Sequence, residues 1–226
     1  MKYKFLLFDL DGTLTDPKEG ITASVQYALR SFGIEEPDAD KLTPFIGPPL
    51  KDSFRKFYGF DEAQAEEAVA KYREWFAPKG IFQNEIYAGM PQMLRELKEK
   101  GKVMAVASSK PQVFVEKILD YFSIHDCFAV VVGSELDGTR GSKEEVVEEA
   151  LRQLQETAGR ERENKRTAVS DTVMVGDRKF DMEGGRRHGL VTVGVTFGYA
   201  EEGELEAAGA DFLADTVEEL GRLLGE

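Results

Sequence analysis

The chain has 226 residues, 42% of them hydrophobic, and 29 basic against 42 acidic side chains give a formal charge of −13. Such a length supports one sizeable core, or a core with a small inserted domain, without disulfide staples. The acidic balance argues against nucleic acid or an anionic membrane surface as the main partner, so an anionic ligand requires a local positive site.

The first element lies in FLLFDLDGTLTD, residues 5 to 16. Phe5 to Phe8 read as a strand buried on both faces, as in a parallel sheet, and Gly12 and Thr13 end it. Alternate side chains of a strand share a face, so Asp9 and Asp11 point the same way with Leu10 opposite. At about 5 Å and an effective dielectric near 20, two such charges repel by about 3 kcal/mol. Something has to compensate.

Residues 17 to 84 carry helical periodicity instead: Ile21, Val25, Ala28, Leu29 and Phe32 recur at helical spacing, as do Ala65, Ala68, Val69, Tyr72, Trp75 and Phe76. No strand-like run interrupts them, which predicts a compact all-helical insert over 17–84 within a core made of 1–16 and 85–226. From Tyr87 the pattern alternates. Helix 90–100 leads to strand 103–107, helix 111–122 to strand 128–132, and helix 143–158 to strand 172–176; helix 178–188 leads to strand 191–195, and a short strand near Phe212 precedes a C-terminal helix. That order predicts an α/β fold, a doubly wound parallel sheet of the Rossmann-like kind with an inserted helical domain. Such sheets bind ligands beyond the carboxyl ends of their strands, where Asp9 and Asp11 lie.

The charged stretch 155–171 lacks apolar periodicity and reads as a solvated helix end and loop. A second LDGT at Leu136–Thr139 repeats Leu10–Thr13 but has Glu135 where Asp9 would be, and reads as coincidence. Cys127, the single cysteine, sits beside Phe128 and an apolar run and reads as a buried structural thiol. The chain runs straight into its first strand without a signal peptide, and its apolar runs are too short for a bilayer, so a cytoplasmic location is the expectation.

Three other strand ends carry polar groups: Ser108, Ser109 and Lys110; Lys143; and Asp177 with Asp181 four residues on. Singly, Ser108 could be a helix cap, Lys143 half of a solvated pair with nearby glutamates, and Asp177 a cap with Asp181 on the surface. Together they put four carboxylates, a hydroxyl and an ammonium on one rim of one sheet. A divalent cation held by carboxylates relieves the repulsion, and Mg²⁺ commonly combines one or two carboxylates with substrate phosphate oxygens, which points to phosphoryl chemistry.

At these residues the chain resembles the haloacid dehalogenase (HAD) superfamily of phosphatases, near its phosphoglycolate phosphatase and bacterial 5'-nucleotidase-like branches. FDLDGTLTD is similar to the first motif, VASSK to the second, Lys143 to the third and GDRKFD to the fourth; Glu144 and Glu145 follow Lys143 where the family often has prolines. The resemblance implies that Asp9 attacks phosphorus to give an aspartyl-phosphate and that Asp11 serves as general acid, then base. It implies that Ser108 and Lys143 hold phosphoryl oxygens. It also implies a Mg²⁺ among Asp9, the Asp11 carbonyl and Asp177, with Asp181 supporting through water. Gly12, Thr13, Ser109, Lys110 and Gly47 are expected as the further phosphate or substrate contacts, and the resemblance implies that the insert corresponds to a mobile cap; FIGPPL, residues 45 to 50, reads either as a cap loop or as a structural turn at Pro48 and Pro49. The expected activity is a Mg²⁺-dependent phosphomonoesterase acting on a small-molecule phosphate ester, with no obligate protein partner. A phosphomutase of the same fold and a non-catalytic phosphate-binding module are the alternatives. The motifs leave phosphoglycolate, nucleoside monophosphates and sugar phosphates open as substrates.

Overall fold

The computed structural model describes residues 3–159 and 171–225, so part of the charged stretch 155–171 lies outside the described residues. The chain divides into two compact units, one made of Met1–Thr15 and Ile86–Glu226, the other of Asp16–Glu85. Strand β1 (Phe5–Phe8) opens the first unit. Strand β2 (Thr15–Asp16) leads into the second, and after helices α1 (Lys18–Ser31), α2 (Leu50–Tyr58) and α3 (Glu62–Phe76), strand β3 (Glu85–Ile86) leads out and pairs with β2.

The second unit has its own core. Ile21, Val25, Ala28 and Leu29 of α1 and Ala65, Ala68, Tyr72 and Phe76 of α3 are buried, with Leu42, Phe45 and Phe54 completing the apolar set. Phe45 and Phe54 meet edge to face at 5.0 Å. An Asp61–Gln64 capping box opens α3, satisfying its first amides reciprocally. Helix α2 and a 3₁₀ turn at Ala39–Phe45 add to the two long helices expected from periodicity. The nine residues of α2 are bracketed by Pro49 and by Gly59 in a left-handed C-cap, and so short a segment carries little periodic signal.

In the first unit the chain alternates through α4 (Met90–Glu99), β4 (Val103–Pro111), α5 (Gln112–Tyr121), β5 (Val130–Ser134), α6 (Lys143–Gly159), β6 (Thr172–Gly176), α7 (Lys179–Arg187), β7 (Val191–Val195), α8 (Glu204–Ala207), β8 (Phe212–Ala214) and α9 (Val217–Gly225). The six-stranded sheet runs β5-β4-β1-β6-β7-β8 and every pair is parallel. Phe5 and Leu7 join Val146, Val147, Ala150 and Leu154 of α6 in one cluster, while Leu6 and Phe8 on the opposite face are equally buried. Both faces are therefore covered, which accounts for the unbroken apolar run of β1. The strand order reverses direction at β1, between β4 and β6. Such a switch point opens a crevice at the carboxyl ends of these strands.

Two strands differ from their sequence expectation. Strand β4 continues past Ala107 to Pro111 with a register shift against β5, and Pro111 disfavours helical backbone at Lys110. Strand β5 starts at Val130, two residues later than expected. Phe128 instead caps a 3₁₀ turn and packs edge to face on Phe8 at 6.2 Å. The second LDGT forms a surface turn after β5, closed by Glu135 N donating to the Thr139 carbonyl. Cys127 is buried. Among the described residues no helix is long and apolar enough to cross a membrane.

Candidate active site

Asp9 continues β1, its amide donating to the Val175 carbonyl of β6 at 2.9 Å, and the chain then turns sharply: Gly12 N donates to Thr15 O and Leu14 N to Leu10 O. Gly12 has φ +84, and a Cβ there would lie 2.1 Å from Oδ2 of Asp177. Only glycine meets both demands, the left-handed backbone and the close approach of a neighbouring carboxylate.

The ends of β1 and β6 and the start of α6 converge. Lys143, the first residue of α6, is 7% exposed; its Nζ lies 2.8 Å from Oδ1 of Asp9 and 2.8 Å from Oδ1 of Asp181, and donates to the Ala107 carbonyl at 2.9 Å. The solvated pairing with Glu144 and Glu145 is thereby excluded. Asp177 is fully buried; its Oδ1 accepts from Thr13 Oγ1 at 3.3 Å and its Oδ2 from the Tyr199 amide at 2.8 Å. Asp181 accepts the Arg178 amide on Oδ2 at 3.0 Å. Asp9, Asp177 and Asp181 each place one carboxylate oxygen within 4.8 Å of the others.

Beside this triad, Asp11 forms a buried ion pair with Lys110, so the Lys110 ammonium compensates a carboxylate directly. Ser108 is buried, its Oγ accepting the Lys110 amide at 3.4 Å, and the Ser109 carbonyl accepts Ser134 Oγ at 2.8 Å. The amide of Gly12 is taken by Thr15, and the hydroxyl of Thr13 by Asp177. The structure thus brings Asp9, Asp11, Thr13, Lys110, Lys143, Asp177 and Asp181 into one network. Gly47 belongs to the second unit, where with φ +102 it turns the chain from the 3₁₀ segment toward α2.

Four buried carboxylates, Asp9, Asp11, Asp177 and Asp181, face two ammonium groups, Lys110 and Lys143, so the site is only partly neutralised. Burial pushes Asp177 well above the usual carboxylate range, with the Asp181 and Asp9 charges adding to it. Burial raises Asp181 as well, although Lys143 pulls it down. Burial lowers the Lys143 ammonium, but the Asp181 and Asp9 carboxylates outweigh it and the net shift is upward. Burial also raises Asp11 against the opposing pull of Lys110. Lys143 approaches Oδ1 of Asp9 and of Asp181 at ion-pair distance, 2.8 Å to each. Oδ1 of Asp11 is buried without a hydrogen-bond donor among the described residues. Hard carboxylate oxygens of three buried aspartates, all within 4.8 Å of one another, fit a divalent cation of the Mg²⁺ kind.

Sequence reasoning passed over the loop after β7. Tyr199 N binds Asp177, and a Cβ on Gly198 would lie 2.3 Å from Asp177 Cβ and 2.4 Å from the Gly12 carbonyl. The signal was available: VTVGV is another strand end on the same rim, and TFGYA follows it with a glycine.

A doubly wound parallel sheet with buried carboxylates and a lysine at its switch point defines an α/β protein with a candidate catalytic site. The chain belongs to the haloacid dehalogenase-like hydrolase family, whose model matches residues 6–195. It is 46% identical over 207 residues to a 5'-nucleotidase of Pseudomonas aeruginosa, covering 92% of this chain and 89% of that protein. It is 36% identical over 224 residues to the tyrosine-protein kinase PtkA of Mycobacterium tuberculosis, covering 98% of this chain and 72% of that protein. The crystal structure of a predicted phosphatase from Clostridium acetobutylicum superposes with a TM-score of 0.90 at 42% identity, over 99% of both chains.

Proposed function

We propose that the protein is a Mg²⁺-dependent phosphomonoesterase that hydrolyses a small phosphorylated metabolite through an aspartyl-phosphate on Asp9. The observation that carries this reading is the buried set of Asp9, Asp177 and Asp181 against Lys143 at the switch point of the sheet. Asp9, Asp177 and the Asp11 carbonyl, with Asp181 behind them, would hold the cation, which would supply positive charge against an incoming phosphate.

In the first displacement an Asp9 carboxylate oxygen bonds to phosphorus, the bond from phosphorus to the ester oxygen breaks, and Asp11 gives that oxygen its proton. Burial makes Asp11 hold a proton more readily than an exposed aspartate, as an acid in this role requires. In the second, water attacks phosphorus, Asp11 takes its proton, and the bond to Asp9 breaks to release inorganic phosphate. Lys143 and Ser108 hold the non-bridging oxygens as their charge grows. The helical unit, expected over 17–84, is read as the cap that selects the leaving group. The nucleotidase relative favours nucleoside monophosphates, with phosphoglycolate the runner-up. A cytoplasmic enzyme without nucleic acid or membrane partners is the accompanying reading.

The test is a panel of nucleoside 5'-monophosphates, phosphoglycolate and sugar phosphates, assayed with Mg²⁺ and with chelator, for wild type and Asp9→Asn. Turnover of at least one ester with Mg²⁺, lost in chelator and in Asp9→Asn, is the expected outcome. Full activity in chelator, or an active Asp9→Asn variant, overturns it.

A further inference from the structure

We propose that Glu204 is a positioning residue for the carboxylates of Asp177 and Asp181, acting through the side chain of Arg178 and the amide of Lys179. The inference rests on the reading of Asp177 and Asp181 as cation ligands given above.

The loop between β6 and α7 carries both aspartates, and its local bonds alone do not fix it in the fold. Arg178 N donates to Asp181 Oδ2 at 3.0 Å and Asp181 N donates to the Arg178 carbonyl at 3.0 Å, closing one tight turn. That turn holds Asp181 relative to Arg178, so whatever holds Arg178 holds Asp181. Glu204, the first residue of α8, reaches it from the segment after β7. Its Oε1 accepts from Arg178 Nε at 3.0 Å and from the Lys179 amide at 2.8 Å. Its Oε2 lies 3.5 Å from Arg178 Nη2 and accepts the Glu201 amide at 3.2 Å. The two side chains are only 12% and 10% exposed, so the pair is largely out of water.

One carboxylate therefore ties the residue immediately after Asp177, and the amide beyond it, to a different segment of the chain. That segment holds Asp177 a second time, through Tyr199 N. Residues 199–204 thus fasten the loop at Asp177, Arg178 and Lys179, and the turn with Arg178 carries that hold on to Asp181. Removing Glu204 takes away the carboxylate that faces the nearly buried Arg178 guanidinium and the acceptor of the Lys179 amide. Groups behind metal ligands act on affinity by fixing ligand geometry, typically by about 10- to 100-fold.

The experiment titrates Mn²⁺ into metal-free full-length protein and reads the free ion by electron paramagnetic resonance, with thermal unfolding recorded in parallel. The proteins are wild type, Glu204→Ala, Glu204→Gln, Asp177→Ala and Leu224→Ala, the last a buried residue of α9. Glu204→Ala is expected to weaken Mn²⁺ binding about 10- to 100-fold. Glu204→Gln, which keeps an acceptor for the Lys179 amide but loses the charge facing Arg178, should weaken it less. Leu224→Ala should lower the melting temperature and leave Mn²⁺ affinity alone. If Glu204→Ala proves insoluble, Glu204→Gln carries the test. Wild-type affinity in the soluble Glu204 variants, with binding lost in Asp177→Ala, overturns the positioning role and leaves the cation site standing. Equal weakening in Leu224→Ala also overturns it, as general destabilisation. Wild type and Asp177→Ala binding Mn²⁺ alike refutes the cation site itself, and the inference falls with it.

Discussion

Replacing Lys143 with methionine tests the electrostatic account most directly. The two contacts of its ammonium, at 2.8 Å to Asp9 and 2.8 Å to Asp181, are each worth about 6 kcal/mol gross at an effective dielectric of about 20. Desolvating the ammonium and the carboxylates takes back several kcal/mol per ion, so the net worth is far smaller. Breaking a buried pair by removing one partner nonetheless costs about 3–5 kcal/mol, because the other charge stays buried. Lys143→Met keeps the stem volume and leaves Asp9 and Asp181 facing each other and Asp177 unneutralised. Unfolding followed by circular dichroism in chelator should show a loss of about 3–5 kcal/mol, or about 6–20 °C in melting temperature for a chain of this size. Adding Mg²⁺ should recover more stability in the variant than it adds to wild type, since the cation then has the whole negative cluster to itself. Equal midpoints for Lys143→Met and wild type in chelator would refute the reasoning, for the ammonium would then not be what balances the site.

Asp11→Asn should lower turnover of a poor leaving group by about 10²–10⁴ while leaving the fold intact, and unchanged rates would remove Asp11 from proton transfer. Gly12→Ala should cost about 1–3 kcal/mol of backbone strain at φ +84 and push Asp177 aside, seen as lower stability together with weakened Mn²⁺ binding; a variant like wild type in both would contradict the packing. Glu204, facing Arg178 and the amides of Lys179 and Glu201, is pulled below the ordinary glutamate range by those partners against the opposing effect of burial. Its stabilisation is full above that range and fades as pH falls through the folded-state value. The stability gap between wild type and Glu204→Gln in urea unfolding should therefore narrow on acidification, and a gap that widens would contradict the assignment.

Much of the first unit was legible because burial on both faces of a parallel sheet leaves a continuous apolar run at each central strand, as in FLLF and TVMVG. Strand alternation then places Asp9 and Asp11, and the other strand ends supply Lys143, Asp177 and Asp181. What escaped was set by partners distant in sequence. The pairing of Lys110 with Asp11 spans 99 residues and depends on β4 lying beside β1 and continuing past Ala107 to Pro111. Phe128 looked like the start of β5, yet its apolar surface is satisfied by Phe8 from a turn. Glu204 looks from the sequence like one of several surface acids in EEGELE, and only the fold shows that it meets Arg178.

The placement of β1 at the middle of the sheet has a consequence for synthesis of the chain. Its partners are Val103 onward on one side and Thr172 onward on the other, so the second edge of β1 stays unpaired until 167 residues after Phe5 have been made. At about 5–20 residues per second, that leaves FLLF without its neighbour for roughly 8–33 s. An apolar strand with open edges is a template for pairing with the wrong chain. The helical insert made in the interval, closed by contacts within residues 16–85, occupies the ribosome exit with a structure that needs no distant partner. Slowing translation between residues 103 and 172 should therefore raise aggregation of the chain more than slowing it anywhere after β6.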